Sequence, residues 1–314
     1  MTRSPSPSVE ESYRVCREIA RREAKNFYYA FVALPRHKRD AICAVYAFMR
    51  HADDLSDDES LSVEQRRLNL STWLDAWHRA SSGQATTDPV FIALGDARER
   101  FQIPCTLLDQ LVQGTAMDLE RPAQPGQYDT YPSFDDLYRY CYLVASVVGL
   151  VCIRIFGYTD SRAEKLAEET GIAFQLTNIL RDIREDFERG RVYLPIEDLA
   201  RHSVSIADLA SLAAKPRSLL PNEYTLIDAE AKRAEHYYKS GYALLPLIAP
   251  DSRPALHVLI DIYHGLLKRI ESHNYSVFST RIAVPTSQKL FILIRGMIQV
   301  FFYHLVPARS GAGK

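Results

Sequence analysis

Two acidic segments carry carboxylates at a spacing that could hold a divalent cation. The first, YAFMRHADDLSDDES (46–60), contains Asp53 and Asp57, and the second, TNILRDIREDFERGRVYLP (177–195), contains Asp182 and Asp186. In a helix, residues four positions apart lie on one face, roughly 6 Å apart along the axis. Mg²⁺ binds one or two carboxylates together with phosphate oxygens and water. The spacing therefore predicts Mg²⁺-dependent binding of a ligand that carries phosphate groups.

The first acidic pair lies on a stripe that also carries apolar and aromatic side chains. A helix over residues 39–58 would place Asp53 and Asp57 on one face, which we expect to be buried. The same face contains Ile42, Tyr46, Met49 and Arg50. Buried like charges are unfavourable unless a cation lies between them, so the pair favours a metal site, with a solvated helix end as the alternative. For Asp54 and Asp58, which fall off this stripe, the solvated helix end is the preferred interpretation.

The second acidic segment repeats this design about 130 residues later. One narrow helical stripe carries oxygen ligands and a glycine, namely Gly171, Gln175, Asn178, Asp182 and Asp186. The adjacent arc is apolar and should be core, and the remaining side carries Arg181, Arg184, Glu185 and Glu188. If the two segments face each other, four carboxylates converge on one cavity, and a diphosphate bound through Mg²⁺ fits that charge. The alternative is a pair of unrelated amphipathic surface helices.

The composition and periodicity are those of a globular, helical protein. Hydrophobic residues make up 47% and charged residues 25% of the 314 residues. Long segments have apolar residues at three- and four-residue spacing, and no run alternates as a strand would. The pattern predicts an all-α chain of about ten helices. We expect a loose tail over 1–12, one catalytic domain over 13–306 and a C-terminal tail over 307–314.

Net charge, cysteine usage and apolar segments indicate the partners and the location of the protein. The 38 basic residues nearly cancel the 39 acidic ones, so a net charge of -1 offers no electrostatic case for nucleic acid. Five scattered cysteines without a C-x-x-C motif indicate reduced thiols in a cytoplasmic protein. The N-terminus lacks the apolar core of a signal peptide. The apolar stretch 290–306 predicts a buried or interfacial helix, which leaves peripheral membrane association open.

The two acidic segments resemble the metal-binding motifs of the squalene/phytoene synthase family. The resemblance covers residues 13–305 and rests mainly on YAFMRHADDLSDD and on QLTNILRDIREDFERGRVYLP. YCYLVASVVGLVCIRIFG (140–157) is similar to the central helix of that family, and AKNFYYAFVALP (24–35) to its flap. IESHNYSVFSTRIAVPTSQK (270–289) is similar to its closing motif. In the flap, Asn26 and Tyr28 stand where serines are frequent.

The resemblance implies the isoprenoid synthase fold, with helices around a deep central cavity, and head-to-head joining of two prenyl diphosphates held through Mg²⁺. It assigns the metal to Asp53, Asp57, Asp182 and Asp186. It assigns the reaction centre to Tyr46, Arg50 and Tyr140, with Tyr46, Tyr140 or the released diphosphate as the base. It assigns substrate contacts to Lys25, Asn26, Phe27, Arg50, Val144, Val148, Gly149, Gln175, Asn178, Arg181, Tyr193 and Arg281. For the two tyrosines the alternative is plain core packing, and for Arg281 a solvated loop.

The choice of product rests on family similarity alone. The stretches VASVVGLVCIRIFGY and ADDLSDDE resemble bacterial squalene-type and presqualene diphosphate synthases of hopanoid pathways. We therefore expect farnesyl diphosphate as substrate and presqualene diphosphate or a squalene-type C30 product. The alternatives are phytoene synthesis from two geranylgeranyl diphosphates and dehydrosqualene synthesis. No G-x-G-x-x-G follows a strand, which weakens the case for NADPH but leaves it open.

Three other functions compete with this interpretation. A head-to-tail elongation enzyme would share D-D-x-x-D, but the second motif here reads N-x-x-x-D-x-x-x-D. A di-iron bundle needs Glu-x-x-His pairs, which the sequence lacks. A non-catalytic helical scaffold is the third. The sequence does not determine the oligomeric state.

Overall fold

The protein is described by a computed structural model that covers residues 7–120, 127–285 and Ile292. Within that range, the side chains of residues 25–27, 29, 118 and 120 are not described. The stretch 290–306, expected as an apolar helix, lies outside the described residues except for Ile292, which packs against the core.

The described chain is almost entirely helical, which confirms the all-α prediction. The α-helices are α1 (Val9–Glu23), α2 (Lys25–Val32), α3 (Arg36–Ser56), α4 (Val63–Ser81), α5 (Pro89–Phe101), α6 (Cys105–Glu120), α7 (Phe134–Cys141), α8 (Val147–Phe156), α9 (Arg162–Glu188), α10 (Ile196–Arg201), α11 (Ile206–Ala214), α12 (Pro221–Leu244) and α13 (Arg253–Ser272). A π-helical segment, Tyr142–Ser146, joins α7 to α8, so that Phe134–Phe156 forms one central helix. Short 3₁₀ turns cover Leu245–Leu247 and Ser276–Phe278.

The helices that carry the predicted site close into a ring. Helix α3 packs against α6, α6 against the central helix, and the central helix against α9. Helix α9 packs against α13, α13 against α2, and α2 returns to α3. Helices α1 and α5 cover α3 from outside, and α12 covers α9. The ring therefore places both acidic helices around a common centre.

One small parallel pairing joins two loops of this ring. Strand β1 (Asp129–Thr130) pairs with β2 (Arg191–Val192), in the register Asp129 with Arg191. The pairing fixes the loop that leads into α7 beside the loop that follows α9. It therefore holds the end of the second acidic segment against the start of the central helix.

The N-terminal boundary differs from the expected tail. Ser8 caps α1 through a capping box with Glu11, so residues 9–12 form the first helical turn. The expectation of a loose tail is therefore wrong for residues 9–12.

Two glycines let neighbouring helices approach the π segment closely. A Cβ on Gly171 of α9 would lie 2.5 Å from Ser146 Cα, and a Cβ on Gly114 of α6 would lie 2.8 Å from Leu143 O. In both cases the approaching group is the backbone of the central helix.

The central helix, Phe134–Phe156, is strongly apolar. Among the described residues, Phe134–Phe156 alone has the length and hydropathy that a membrane span requires, and 44% of its most apolar window is buried. A core helix has the same properties, and this one packs between α6 and α9.

Candidate active site

The first acidic helix brings Asp53 against α6. Asp53 is half-buried, and its Oδ1 accepts a hydrogen bond of 3.0 Å from the hydroxyl of Thr115. Burial raises the pKa of Asp53 to about 6, although the Thr115 hydroxyl acts in the opposite direction. The nearby charge of Asp57 adds to the increase. Asp53 is thus partly desolvated, and a cation bound beside it would stabilise its carboxylate form.

Asp57 does not share that burial. Helix α3 ends at Ser56, so Asp57 is the C-cap and its side chain is exposed. The expectation that Asp53 and Asp57 lie on one buried face is therefore confirmed for Asp53 and wrong for Asp57. The physical reason is that the helix begins at Arg36 and ends two residues before the predicted boundary at 58.

Arg50 and Asp54 form an ion pair that the stripe argument did not predict. The Arg50 guanidinium hydrogen-bonds the carboxylate of Asp54 one helical turn later. Asp54 is exposed, as the solvated interpretation predicted, and it also pairs with Arg50. Tyr46, one turn before Arg50, is half-buried and lies edge-on to Phe31 with 6.1 Å between the ring centres. Burial raises the pKa of the Tyr46 hydroxyl.

The second acidic helix surrounds Asp182 with arginines. Arg181 Nε donates to Asp182 Oδ1 at 2.7 Å, and Arg281 Nη2 lies 3.2 Å from the same oxygen. Arg281 Nη1 also lies 3.2 Å from Glu185 Oε1. The Arg181 side chain is only 17% exposed. Arg281 is 57% exposed, yet it is tied to α9 by two carboxylates.

Asp186 has the opposite surroundings. It is half-buried and has no hydrogen-bond or ion-pair partner among the described residues. Burial raises the pKa of Asp186 to about 7, and the charge of Asp182 adds to the increase. Asp186 also lines a small pocket together with Tyr193 and Phe278. Its carboxylate therefore faces a recess that Arg191 also lines, and the charge of Arg191 partly offsets the increase in the pKa of Asp186.

Asn178 supplies a third oxygen on the same helical face. Its amide nitrogen donates to Gln175 Oε1 at 3.4 Å, whereas its Oδ1 is buried with no hydrogen-bond partner within the described part of the chain. A buried carbonyl oxygen without a donor costs free energy unless a ligand satisfies it. Together with Asp182 and Asp186 it forms an all-oxygen set, which fits Mg²⁺.

The carboxylates of each helix do not complete a metal site by themselves. Within residues 7–120 and 127–285, no three His, Cys, Asp or Glu side chains are grouped closely enough to hold a metal ion. Each acidic helix offers two carboxylates, so further oxygens have to come from a ligand. This arrangement fits Mg²⁺, which usually binds one or two carboxylates together with substrate phosphates.

The level of Asp53 along the central helix follows from two contacts. Lys38 Nζ, near the start of α3, donates to Phe156 O at the end of α8 at 2.8 Å, so α3 runs antiparallel to the central helix. At ~1.5 Å rise per residue, Asp53 then reaches the level of the π segment. Thr115, the hydrogen-bond partner of Asp53 on α6, directly follows Gly114, which lies against Leu143.

The level of the second acidic pair follows in the same way. Gly171 of α9 lies against Ser146, and a Cβ on Gly149 would lie 3.0 Å from Ala167 O. Helix α9 is therefore also antiparallel to the central helix, and Asp182 lies beyond Gly171 towards α7. Both acidic segments thus lie at the same end of the central helix. Their meeting across one cavity stays a prediction.

Three tyrosines pack together at that end. The hydroxyl of Tyr140 donates to the hydroxyl of Tyr193 at 3.1 Å, and their ring centres lie 4.9 Å apart. Tyr131 stacks on Tyr193 at 5.8 Å and contacts Tyr140 at 5.6 Å. All three are buried. Of the three tyrosines that the resemblance assigned to the site, Tyr140 and Tyr193 are therefore in contact, and Tyr131 joins them.

The π segment changes which residues of the central helix share a face. On a regular α-helix, Tyr140, Val144, Val147 and Val151 would form one stripe. In the structure Val147 and Val151 are fully buried in the core, whereas Val144 and Val148 are half-buried. Val148, rather than Val147, therefore follows Val144 on the less buried face, because a π turn contains more residues than an α turn. Gly149 lies against the backbone of α9.

Some predicted residues lie outside the description. The side chains of Lys25, Asn26 and Phe27 are not described, although the backbone of α2 packs against α3 and α13. Their assigned contacts with substrate stay predictions.

Sequence reasoning missed three neighbours of the site. Thr115 lies about 60 residues from Asp53, and no helical stripe connects them. Tyr131 precedes α7, and its aromatic character was its one signal in the sequence. Glu185 lies three residues after Asp182 on α9, and that spacing could have indicated one arginine bridging both carboxylates.

The comparisons with known proteins agree with this architecture. A profile of the squalene/phytoene synthase family matches residues 20–288. The chain is 34% identical over 304 residues to a 15-cis-phytoene synthase of Synechocystis sp., covering 92% of this chain and 85% of the relative. It is 35% identical over 283 residues to a phytoene synthase of Mycobacterium tuberculosis, covering 90% and 89%.

Two solved structures share the fold over most of both chains. A dehydrosqualene synthase in complex with ligand superposes with a TM-score of 0.80 at 29% identity, covering 94% of this chain and 98% of the other. The squalene synthase HpnC of Alicyclobacillus acidocaldarius superposes with a TM-score of 0.76 at 28% identity, covering 85% and 95%. The ring of helices is thus the isoprenoid synthase fold. The chain belongs to the squalene/phytoene synthase family of prenyltransferases.

Proposed function

We propose that this protein joins two geranylgeranyl diphosphates head to head in a Mg²⁺-dependent reaction that yields C40 phytoene and releases diphosphate. The observation that carries the proposal is the placement of two acidic segments at one end of the central helix, with three oxygen donors on α9. The choice of the C20 substrate is supported by the similar curated relatives, which are named phytoene synthases. They favour this alternative over the farnesyl diphosphate that the sequence had suggested.

Condensation of two farnesyl diphosphates to a C30 product is the second candidate. The two structural neighbours are named dehydrosqualene synthase and squalene synthase. Their similarity covers at least 85% of this chain, so C15 chemistry on this fold deserves a direct test.

The first chemical step would break the C–O bond of one allylic diphosphate, and the diphosphate would leave with the electron pair. Mg²⁺, when bound, would stabilise the negative charge on that leaving group. Asp182, Asp186 and Asn178 would hold the metal on the α9 side, and Asp53 on the α3 side. Arg181 and Arg281, which contact Asp182, would bind the leaving diphosphate.

The second step would join the two chains. The allylic cation would be attacked by the C2–C3 double bond of the second molecule, and loss of a proton would give a cyclopropyl diphosphate. The Tyr140 hydroxyl, held by Tyr193 at 3.1 Å, is one candidate acceptor for that proton, and the released diphosphate is another. The second diphosphate then leaves, and proton loss ends the C40 reaction without a reductant. A squalene product would require hydride, and hence NADPH.

Product analysis tests this proposal. The purified protein is incubated with geranylgeranyl or farnesyl diphosphate, with and without NADPH, in Mg²⁺ or in chelator. We expect C40 phytoene from the C20 substrate without NADPH, and no product in chelator. Formation of C30 products alone would transfer the assignment to the second candidate. A linear product from head-to-tail elongation, or no turnover of either substrate, would overturn the head-to-head proposal itself.

Localisation is proposed on chemical grounds. The cysteine pattern favours the cytoplasm, and a hydrocarbon product favours delivery to a membrane surface. Peripheral association therefore forms part of the proposal, and a flotation assay with lipid vesicles tests it.

A further inference from the structure

We infer that Thr115 is a positioning residue for the metal site and fixes one oxygen of Asp53 so that the other faces the cation. The inference rests on the proposed function, because it concerns the affinity of that site for Mg²⁺. It is carried by the hydrogen bond from the Thr115 hydroxyl to Asp53 Oδ1, which joins α6 to α3 at 3.0 Å.

The Thr115 hydroxyl has two possible acceptors and one proton. The Asp53 oxygen is 3.0 Å away, and the carbonyl of Leu111 is 3.4 Å away. A hydroxyl donates only one hydrogen bond, and bonds to an ionised acceptor are the stronger ones. The proton therefore goes to Asp53, and the longer contact to Leu111 does not compete.

Thr115 is the sole side chain in the described range that donates to Asp53. The bond occupies Oδ1 and leaves Oδ2 without a hydrogen-bond donor from those residues. A carboxylate with one oxygen held by the protein and the other free has a fixed direction. Side chains that orient metal ligands in this way raise metal affinity, because the ligand does not have to be ordered when the metal binds.

The position of Thr115 is itself determined by packing. The preceding residue, Gly114, lies so close to the central helix that a Cβ would come within 2.8 Å of Leu143 O. Helix α6 therefore cannot rotate or move away from the central helix without losing this contact. Through Thr115, Asp53 is held in register with the central helix as well as with its own helix α3.

The chain offers a closely matched control. Thr170 on α9 has the same helical environment, with its hydroxyl bonded to the carbonyl four residues earlier, Leu166 O, at 2.6 Å. It is buried, at 4% exposure, and in the described structure its hydroxyl makes no hydrogen bond to a carboxylate. Thr170→Val therefore removes a buried helical hydroxyl without touching an acidic ligand.

The test compares Thr115→Val with Thr115→Ser and Thr170→Val. Valine has nearly the shape of threonine but cannot donate, whereas serine keeps the hydroxyl. Mg²⁺ is titrated at fixed inorganic diphosphate while the melting temperature is followed, and the same titration is repeated as an activity assay. We expect Thr115→Val to require about tenfold more Mg²⁺ in both titrations, within the range seen when groups that orient metal ligands are removed. Thr115→Ser and Thr170→Val should match the wild type.

The outcomes separate this inference from the proposed function. If the wild type is stabilised by Mg²⁺ with diphosphate but Thr115→Val gives the same curve, the positioning role is wrong and the proposed function stands. The role is equally wrong if Thr170→Val shifts the curve as much, or if Thr115→Ser does not restore it. A wild type with neither Mg²⁺-dependent stabilisation nor turnover would overturn both.

Discussion

Two buried glutamates on α12 have opposite surroundings, and we predict opposite effects when each becomes glutamine. Glu230 is 3% exposed and shares Arg233 with the buried Asp198, and its Oε1 receives no hydrogen bond in the described structure. Burial raises the pKa of Glu230 to about 7. Glu223 is 2% exposed, but Arg217 donates to both of its oxygens at 2.7 Å, and this pairing lowers its pKa.

The sign of the Glu230 effect follows from proton binding. The folded chain holds a proton on Glu230 up to about pH 7, whereas the unfolded chain releases it near the ordinary value of 4.5. Between these values the folded state binds more protons, so stability falls as pH rises, and the cost is complete above about pH 7. The gap corresponds to about 3 kcal/mol at most. We expect Glu230→Gln to recover about 1–3 kcal/mol at pH 8 and almost nothing near pH 4.5.

The Glu223 effect has the reverse sign. A lowered pKa in the folded chain gives stability above pH 4.5 that is lost as the pH falls through the folded value. Glu223→Gln should therefore destabilise the protein at pH 8, by about 2 kcal/mol, because Arg217 loses a charged partner. That loss should shrink in acid.

Chemical denaturation at pH 8 and pH 5, with the denaturant midpoints of the wild type and both variants compared, measures these differences. Glu223 bonds Arg217 and the backbone of Leu220, neither of which is assigned to the substrate site, so turnover at pH 8 should be unchanged in Glu223→Gln. If Glu230→Gln lowers the midpoint at pH 8 as much as Glu223→Gln does, burial is not what raises the pKa of Glu230, and the reasoning is refuted.

The remaining predictions concern the site and the helices that hold it. In chelator, Asp182→Asn should lower the melting temperature because it removes the partner of two arginines, whereas Asp186→Asn should leave it equal or higher. Both should reduce turnover about a hundredfold or more, measured as product per minute in Mg²⁺. Gly171→Ala should destabilise by about 3 kcal/mol in denaturation, since its Cβ would lie 2.5 Å from the central helix. Gly95→Ala, where nothing lies within 4 Å, should instead stabilise slightly; equal losses in the two glycine variants would contradict the packing argument.

The positions of the acidic residues could be predicted because helical spacing is local. A period of 3.6 residues places Asp182, Asp186 and Asn178 on one face whatever the rest of the chain does. The same argument failed at Asp57 because a boundary shift of two residues decides whether a side chain lies on a helix or at its exposed end. Helix ends depend on capping and tertiary contacts, which periodicity does not contain.

The contacts between distant elements could not be predicted in this way. Thr115 meets Asp53 because α6 packs on α3, and Arg281 meets Asp182 because the segment after α13 returns to α9. The π segment is a further case. Its sequence, Tyr-Leu-Val-Ala-Ser, has no residue that forbids a regular α-helix, so the extra residue in the turn has to come from the packing around it.

The two acidic pairs show a common asymmetry that bears on how the site binds metal. In each pair one carboxylate is held by the protein, Asp53 by a hydroxyl and Asp182 by two arginines. The other, Asp57 or Asp186, receives no ion pair from a described residue. Four free carboxylates would repel one another and destabilise the fold, whereas four neutralised ones would bind cations weakly. The arginines reduce the repulsion by pairing Asp182, whereas the Thr115 hydroxyl orients Asp53 without neutralising it, so Asp53 and Asp186 stay available to a cation. The metal-dependent stabilisation should therefore be lost more completely in Asp186→Asn than in any variant of the residues that hold Asp182.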